Sequence, residues 1–139
     1  MNPSLPLSGL RVLDLSRVLA GPLAAQVLGD LGADVVKVEH PARGDDTRDW
    51  GVRTGAHNSA YFNSMNRNKR SVTLDLQQPE GQRLARELAL QSDVVIQNFK
   101  FGGIAKMGLD YDTLAAERPG IVYCSITGYD PTGPEAARP

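Results

Sequence analysis

The sequence predicts an α/β domain built as a doubly wound, mostly parallel sheet, and three observations predict it. Short apolar runs with β-branched content recur five times, and amphipathic segments stand between them. The first strand-helix-strand passage takes roughly thirty residues, the size of a βαβ unit whose crossover is right-handed. With 139 residues and 41% hydrophobic content the chain has room for one domain, a size at which roughly two thirds of the unfolded surface becomes buried.

The first strand is "LRVLDL", residues 10–15, bounded by Gly9 and Ser16. "AGPLAAQVLGDLGA" then reads as a helix: Pro22 suits a first turn, Leu23, Val27, Leu28 and Leu31 recur at helical spacing, and Gly32 can end it in a left-handed conformation. "DVVKVE", Asp34–Glu39, is the second strand. Residues 40–60 show little periodicity and much Gly, Asp and Arg, so they are expected to form a long functional loop. "SVTLDL", residues 71–76, resumes strand character, and a second helix begins near Pro79, with Leu84, Ala85, Leu88 and Ala89 on its apolar face. "DVVIQNF", residues 93–99, is the fourth strand; one or two short helices follow, broken at Gly102, Gly103 and Gly108, and "IVYCSI", residues 121–126, is the fifth strand. No helix pattern follows it, so the architecture reads as incomplete, ending either in a disordered tail or in a truncated chain.

Charge excludes some functions. The 15 Lys and Arg nearly balance 16 Asp and Glu, so no global field draws the chain to nucleic acid or anionic lipid. A single cysteine, Cys124, rules out an intrachain disulfide framework and fits the cytoplasm. No stretch approaches a membrane span and no leader pattern is present, so neither a membrane nor a nucleic acid is expected as a partner.

Ligands of such sheets settle beyond the carboxyl ends of the strands. The first turn lacks the spaced glycines of a dinucleotide site, and Glu39, placed where a ribose-binding acid would stand, reads instead as a loop anchor. His40 and His57 have neither metal-ligand spacing nor a cysteine partner, so no metal site is expected. Asp130 in "TGYDP" fits turn chemistry, and no G-x-S-x-G elbow is present. The basic turn "MNRNKR" stands apart, because Arg67, Lys69 and Arg70, interleaved with Asn66 and Asn68, form a set of donors suited to phosphate. Residue types alone leave open whether it is a site or a solvated turn.

Four blocks in this order, "AGP…LGDLGADVVKVE", "NRNKRSVTLDL", "NF…G…MGLDY" and "CSITGY…GP", resemble the N-terminal region of the class III CoA-transferases of the CaiB/BaiF type, over essentially the whole chain. The resemblance implies a Rossmann-like CoA-binding part of the large domain, residues 1–139, in an enzyme that moves CoA between carboxylic acids. Such enzymes hold no tightly bound cofactor; acyl-CoA and a carboxylic acid are substrates, and two subunits interlock as a homodimer. Their nucleophile is an Asp that would lie beyond this chain, so no catalytic residue is assigned within it. Carried over by position, Val18, Leu19 and Ala20 would line the CoA path, and Asn68, Lys69, Arg70 and Leu74 would form the nucleotide turn and strand. Asn98 and Phe99 would line the channel. His40 and Lys106 stand where relatives often have Arg near a CoA phosphate, and Arg138 would be a further basic contact. An acyl-CoA racemase of the same superfamily, or a non-catalytic nucleotide- or partner-binding module, are the alternative readings.

Overall fold

A computed structural model describes residues 5–138. Strands β1 (Arg11–Asp14), β2 (Asp34–Glu39), β5 (Lys69–Thr73), β6 (Val94–Gln97) and β7 (Val122–Ser125) form one sheet in the order β5-β2-β1-β6-β7, every pairing parallel. The expected doubly wound sheet is therefore present. The first three strands build outward from β1 on one side, and the chain then crosses back so that β6 and β7 extend the other. The direction of winding reverses between β1 and β6.

Helix α1 (Ala20–Asp30) covers one face of this sheet. It packs Ala25 with Val12, Val35 and Ile96. It has no side-chain N-cap; Pro22 occupies its first turn, where an amide donor is not needed, and Gly32 at φ 103° turns the chain away after its last turn. Helices α3 (Pro79–Leu90) and α4 (Tyr111–Glu117) cover the other face. Ala85, Ala89 and Leu114 meet Leu13, Leu15, Val38 and Val95 there in the larger apolar cluster. Pro79 opens α3, Asp110 caps α4 by accepting from Thr113 N, and Gly81 lets α3 approach a backbone: a Cβ there would stand 2.0 Å from the Asp75 carbonyl oxygen.

Two elements differ from expectation. β5 runs Lys69–Thr73, two residues earlier than the apolar pattern of 71–76 indicates, because its partner β2 ends at Glu39, paired to Thr73. Leu74 then makes one last bond, N–H to the Glu39 carbonyl, and the chain leaves the sheet. The long loop after β2 is also more ordered than its composition implies. It holds a 3-10 turn at Asp46–Asp49, a small antiparallel hairpin of β3 (Arg53–Gly55) and β4 (Asn58–Ser59), and helix α2 (Ala60–Met65), capped where Ser59 Oγ accepts from Phe62 N.

Candidate functional site

The reversal between β1 and β6 leaves a crevice beyond their carboxyl ends, since the connections diverge there. The turn after β1 forms its wall and is held from both sides. Asn98, just after β6, accepts from Arg17 N at 2.9 Å and donates through Nδ2 to the Arg17 carbonyl at 2.8 Å. Val18 sits at φ 72°, a conformation that disfavours a β-branched residue and persists where surroundings enforce it. Its amide reaches the Asp45 carboxylate at 3.3 and 3.4 Å. Gly21 lets the start of α1 close onto the same turn: a Cβ there would meet Ser16 Cβ at 2.2 Å.

Beneath the turn lies a set of buried charges. Lys37, 1% exposed, donates to the Ser16 carbonyl at 2.7 Å and pairs with Asp45 at 2.9 Å. Asp14, fully buried, accepts from Ser16 N and Ser16 Oγ and pairs with Lys69 at 2.8 Å. Removing these groups from water disfavours their charged forms, so each needs a full set of partners. Burial pushes the Asp45 carboxyl up, yet the Lys37 ammonium and the Thr47 donors outweigh it and hold Asp45 below the usual carboxylate range. Burial pulls the Lys69 ammonium down, and Asp14 restores only part of that shift. Glu39 is raised by burial, but the Arg48 fork and Ser71 Oγ bring it below its ordinary value. Arg48 also binds the His57 carbonyl and lies over the Phe62 ring at 3.7 Å, so Glu39 anchors the whole loop, as its position suggested.

A cleft of about 250 Å³ opens beside the Arg17 turn, with Leu15, Leu74, Leu76, Phe99 and Met107 as apolar walls and Arg17, His40 and Arg43 as cations or cation formers on its rim. Around the His40–Arg43 bend it adjoins a wider groove of about 450 Å³ that also reaches Arg53 and His57. Within the bend His40 Nδ1 accepts from Ala42 N, and Gly44 N donates to the His40 carbonyl. Arg43 is exposed at the lip of both spaces. Such a surface offers donors for an anion and an apolar floor for the chain attached to it.

Of the residues singled out in the sequence, the fold gathers Val18, Leu19 and Ala20 at the β1 turn with Asn98 beside them, and His40, Leu74 and Phe99 on the cleft. It does not bring the basic turn there. That turn precedes β5, so in a parallel sheet it lies at the amino end, against the close of α1. Asn68, at φ 60°, donates to Asp30, which Arg67 also clasps, and Arg70 forks onto Asp34 at 2.6 Å. Lys69 starts at the same end, but its stem runs up under α1 and its ammonium is spent on Asp14, Asn66 and the Pro22 carbonyl. Lys106 is exposed in a 3-10 turn, Ala105–Met107, whose Met107 borders the cleft. Arg138 lies far along the chain in the final turns, paired with Glu135 at 2.8 Å. Asp130 accepts from Thr132 N and Oγ1 in the turn its sequence context indicates.

Sequence reasoning passed over Asp14, Lys37 and Asp45, although a lysine inside "DVVKVE" and an aspartate inside "LRVLDL" are charges where a buried strand has no use for them. It also passed over Arg17 and Arg43, single charges in loops that carry no pattern. Among the described residues no group of three His, Cys, Asp or Glu could hold a metal, and no helix is long and apolar enough to cross a membrane.

Fold and cleft together define an α/β protein of the doubly wound class with a cleft beyond the carboxyl ends of its strands. The profile of CoA-transferase family III matches residues 7–139, and the chain belongs to that family. It is 53% identical to the succinate–glutarate CoA-transferase of Agrobacterium fabrum over 97% of its length and 35% of that protein's. It is 49% identical to the human succinyl-CoA:glutarate CoA-transferase, over 99% of this chain and 32% of the human one. The crystal structure of a CaiB/BaiF family protein from Brucella suis superposes with a TM-score of 0.90 at 54% identity, covering 96% of this chain and 36% of that one. The chain thus spans about a third of the length of these relatives.

Proposed function

We propose that residues 1–139 are the CoA-binding N-terminal part of an acyl-CoA transferase that moves CoA between carboxylic acids, dicarboxylic acids in particular. The observation that carries this reading is the cation-rimmed cleft at the reversal of a doubly wound sheet in a member of CoA-transferase family III. The relatives named for succinate and glutarate support the choice of dicarboxylic acids.

In this reading acyl-CoA and a free acid are substrates and no cofactor is tightly bound. The CoA chain passes the Val18–Ala20 backbone, Leu74, Asn98 and Phe99. His40 and Arg43, with Lys106 farther out, meet its phosphates. Of Asn68, Lys69 and Arg70 only Lys69 serves the cleft, by holding Asp14 and so the Ser16 turn, while Asn68 and Arg70 stay on Asp30 and Asp34 at the amino end of the sheet. Arg138 offers a further basic contact from the final turns. An Asp of the remaining part of the enzyme attacks the donor thioester and releases CoA thiolate, which then attacks the resulting anhydride. The donor acid leaves, and the enzyme thioester passes CoA on when the acceptor carboxylate repeats the exchange. Two such subunits interlock as a cytoplasmic homodimer.

Calorimetry of the chain with CoA tests this. Binding should weaken as salt is raised, and Arg43→Ala should cost about tenfold or more in Kd, the worth of one charge-assisted contact to phosphate. Absence of binding, or binding indifferent to salt and to Arg43→Ala, would refute the reading.

A further inference from the structure

Resting on that reading, we propose that Arg17 is the specificity-determining residue for the second, unreacted carboxylate of a dicarboxylic acyl group. The guanidinium stands at the reversal of the sheet, where the β1 and β6 connections part. Its backbone cannot shift, because Asn98 bonds both its N–H and its carbonyl. Its head is differently placed. Arg17 approaches Asp46 only to 3.7 Å, whereas each of the other ion pairs among the described residues closes to 2.9 Å or less. The guanidinium carbon lies over the Phe99 ring, 5.9 Å from its centroid. A cation held over an aromatic face by its charge keeps its N–H groups available for a bidentate carboxylate.

The surroundings select what that carboxylate is attached to. Leu15, Phe99, Leu74 and Met107 give the same cleft an apolar wall that fits a short run of methylenes, and the acids that also line it, Glu39 and Asp75, leave Arg17 as the group there that attracts a carboxylate from the β1 turn. The phosphates of a nucleotide have exposed donors of their own at the His40–Arg43 bend, which rims the same cleft and opens into the wider groove beside it. A half-buried guanidinium over a phenyl ring, with an apolar floor beside it, suits one carboxylate on a short aliphatic chain. Asp46 is then a competitor of the ligand: it holds the head loosely when the cleft is empty and is displaced when the acyl group enters.

The test is isothermal titration of the chain with CoA, pentanoyl-CoA and glutaryl-CoA, the last two matched in carbon number and differing in the terminal charge. Glutaryl-CoA should bind about tenfold tighter than pentanoyl-CoA, as one charge-assisted carboxylate contact implies. Arg17→Met should erase that preference and leave the CoA affinity unchanged. Asp46→Asn, by removing the competitor, should enlarge it. Equal affinity of glutaryl- and pentanoyl-CoA for the unaltered chain, or a loss on Arg17→Met that is the same for all three ligands, would overturn the assignment. Failure of all three to bind would instead sink the CoA reading. In that event free glutarate and pentanoate decide for Arg17 alone: a shift of its Nε resonance with glutarate only supports the site, and no shift with either removes it.

Discussion

On the face of the sheet that meets α3 and α4, Leu13, Leu15, Val38 and Val95 are at most 5% exposed and pack with Ala85, Ala89 and Leu114. On the face that meets α1, β1 and β2 present Asp14 and Lys37, buried just as deeply, and β5 adds Lys69. An apolar contact has no preferred direction and survives small slips of a helix over the sheet. A buried ion pair survives only in the geometry that satisfies every donor and acceptor. The apolar face therefore supplies stability that is indifferent to detail. The charged face fixes one position of the Ser16–Val18 backbone, and that backbone forms the wall of the cleft.

Breaking the charged face from one side should produce the largest effect. Asp45→Ala strands the Lys37 ammonium and leaves Val18 N and Thr47 without their acceptor, so destabilisation of about 3–5 kcal/mol is expected in denaturant unfolding. Leu114→Ala on the apolar face should cost a comparable amount through its cavity, about 2–5 kcal/mol, yet leave CoA affinity in the surviving folded fraction unchanged. The informative variant is the paired replacement Lys37→Met with Asp45→Leu. It removes both charges and so should cost less than Asp45→Ala, although Val18 N, Thr47 and the Ser16 carbonyl still lose a partner, and it should weaken CoA binding, because Val18 is no longer held at its left-handed φ. Unchanged affinity in the paired variant would mean that the charged face does not position the cleft.

Acid gives a milder version of the same comparison. Asp45 and Glu39 are both held below their ordinary carboxylate range in the fold. The unfolded chain therefore binds protons at a higher pH than the native one. The stability these groups contribute is present in full above the unfolded values, near pH 4, and drains away as the pH falls through the lower native ones. Each unit of depression is worth about 1.4 kcal/mol. Unfolding midpoints between pH 6 and 3 should fall for the unaltered chain and fall less for the Lys37→Met, Asp45→Leu pair, which keeps Glu39 and the surface carboxylates but has lost Asp45.

How much of this was legible in the sequence follows from the kind of signal each part carries. The five strands and the helices on either side of them were readable because apolar periodicity is the direct image of a buried face. Helix α2 was not, since six residues span under two turns and cannot show a period, although Ser59 ahead of "AYF" is a capping signal. The start of β5 was hidden because Lys69 and Arg70 look like loop residues, while the partner of Lys69 is Asp14, 55 positions earlier in the chain. Proximity of that kind belongs to the topology, and only the strand order makes it visible. Topology also locates the basic turn: a loop that enters a strand of a parallel sheet lies at the end opposite the ligand crevice.

That location leads to the smallest expected effect, and the one that separates the two ends of the sheet. Arg67 and Arg70 are exposed, and their carboxylate partners Asp30 and Asp34 are only partly covered. Ion pairs of this kind contribute about 0–1 kcal/mol. Arg70→Ala should shift the unfolding free energy by less than about 1 kcal/mol, with the shift shrinking further in salt, and should leave the CoA Kd within twofold or so. Its contrast with Arg43→Ala is the decisive feature, since both remove one exposed arginine from a loop. If the loss at Arg70 matched the loss at Arg43, the nucleotide would have to reach the amino end of the sheet, and the carboxyl-end cleft would not be its seat.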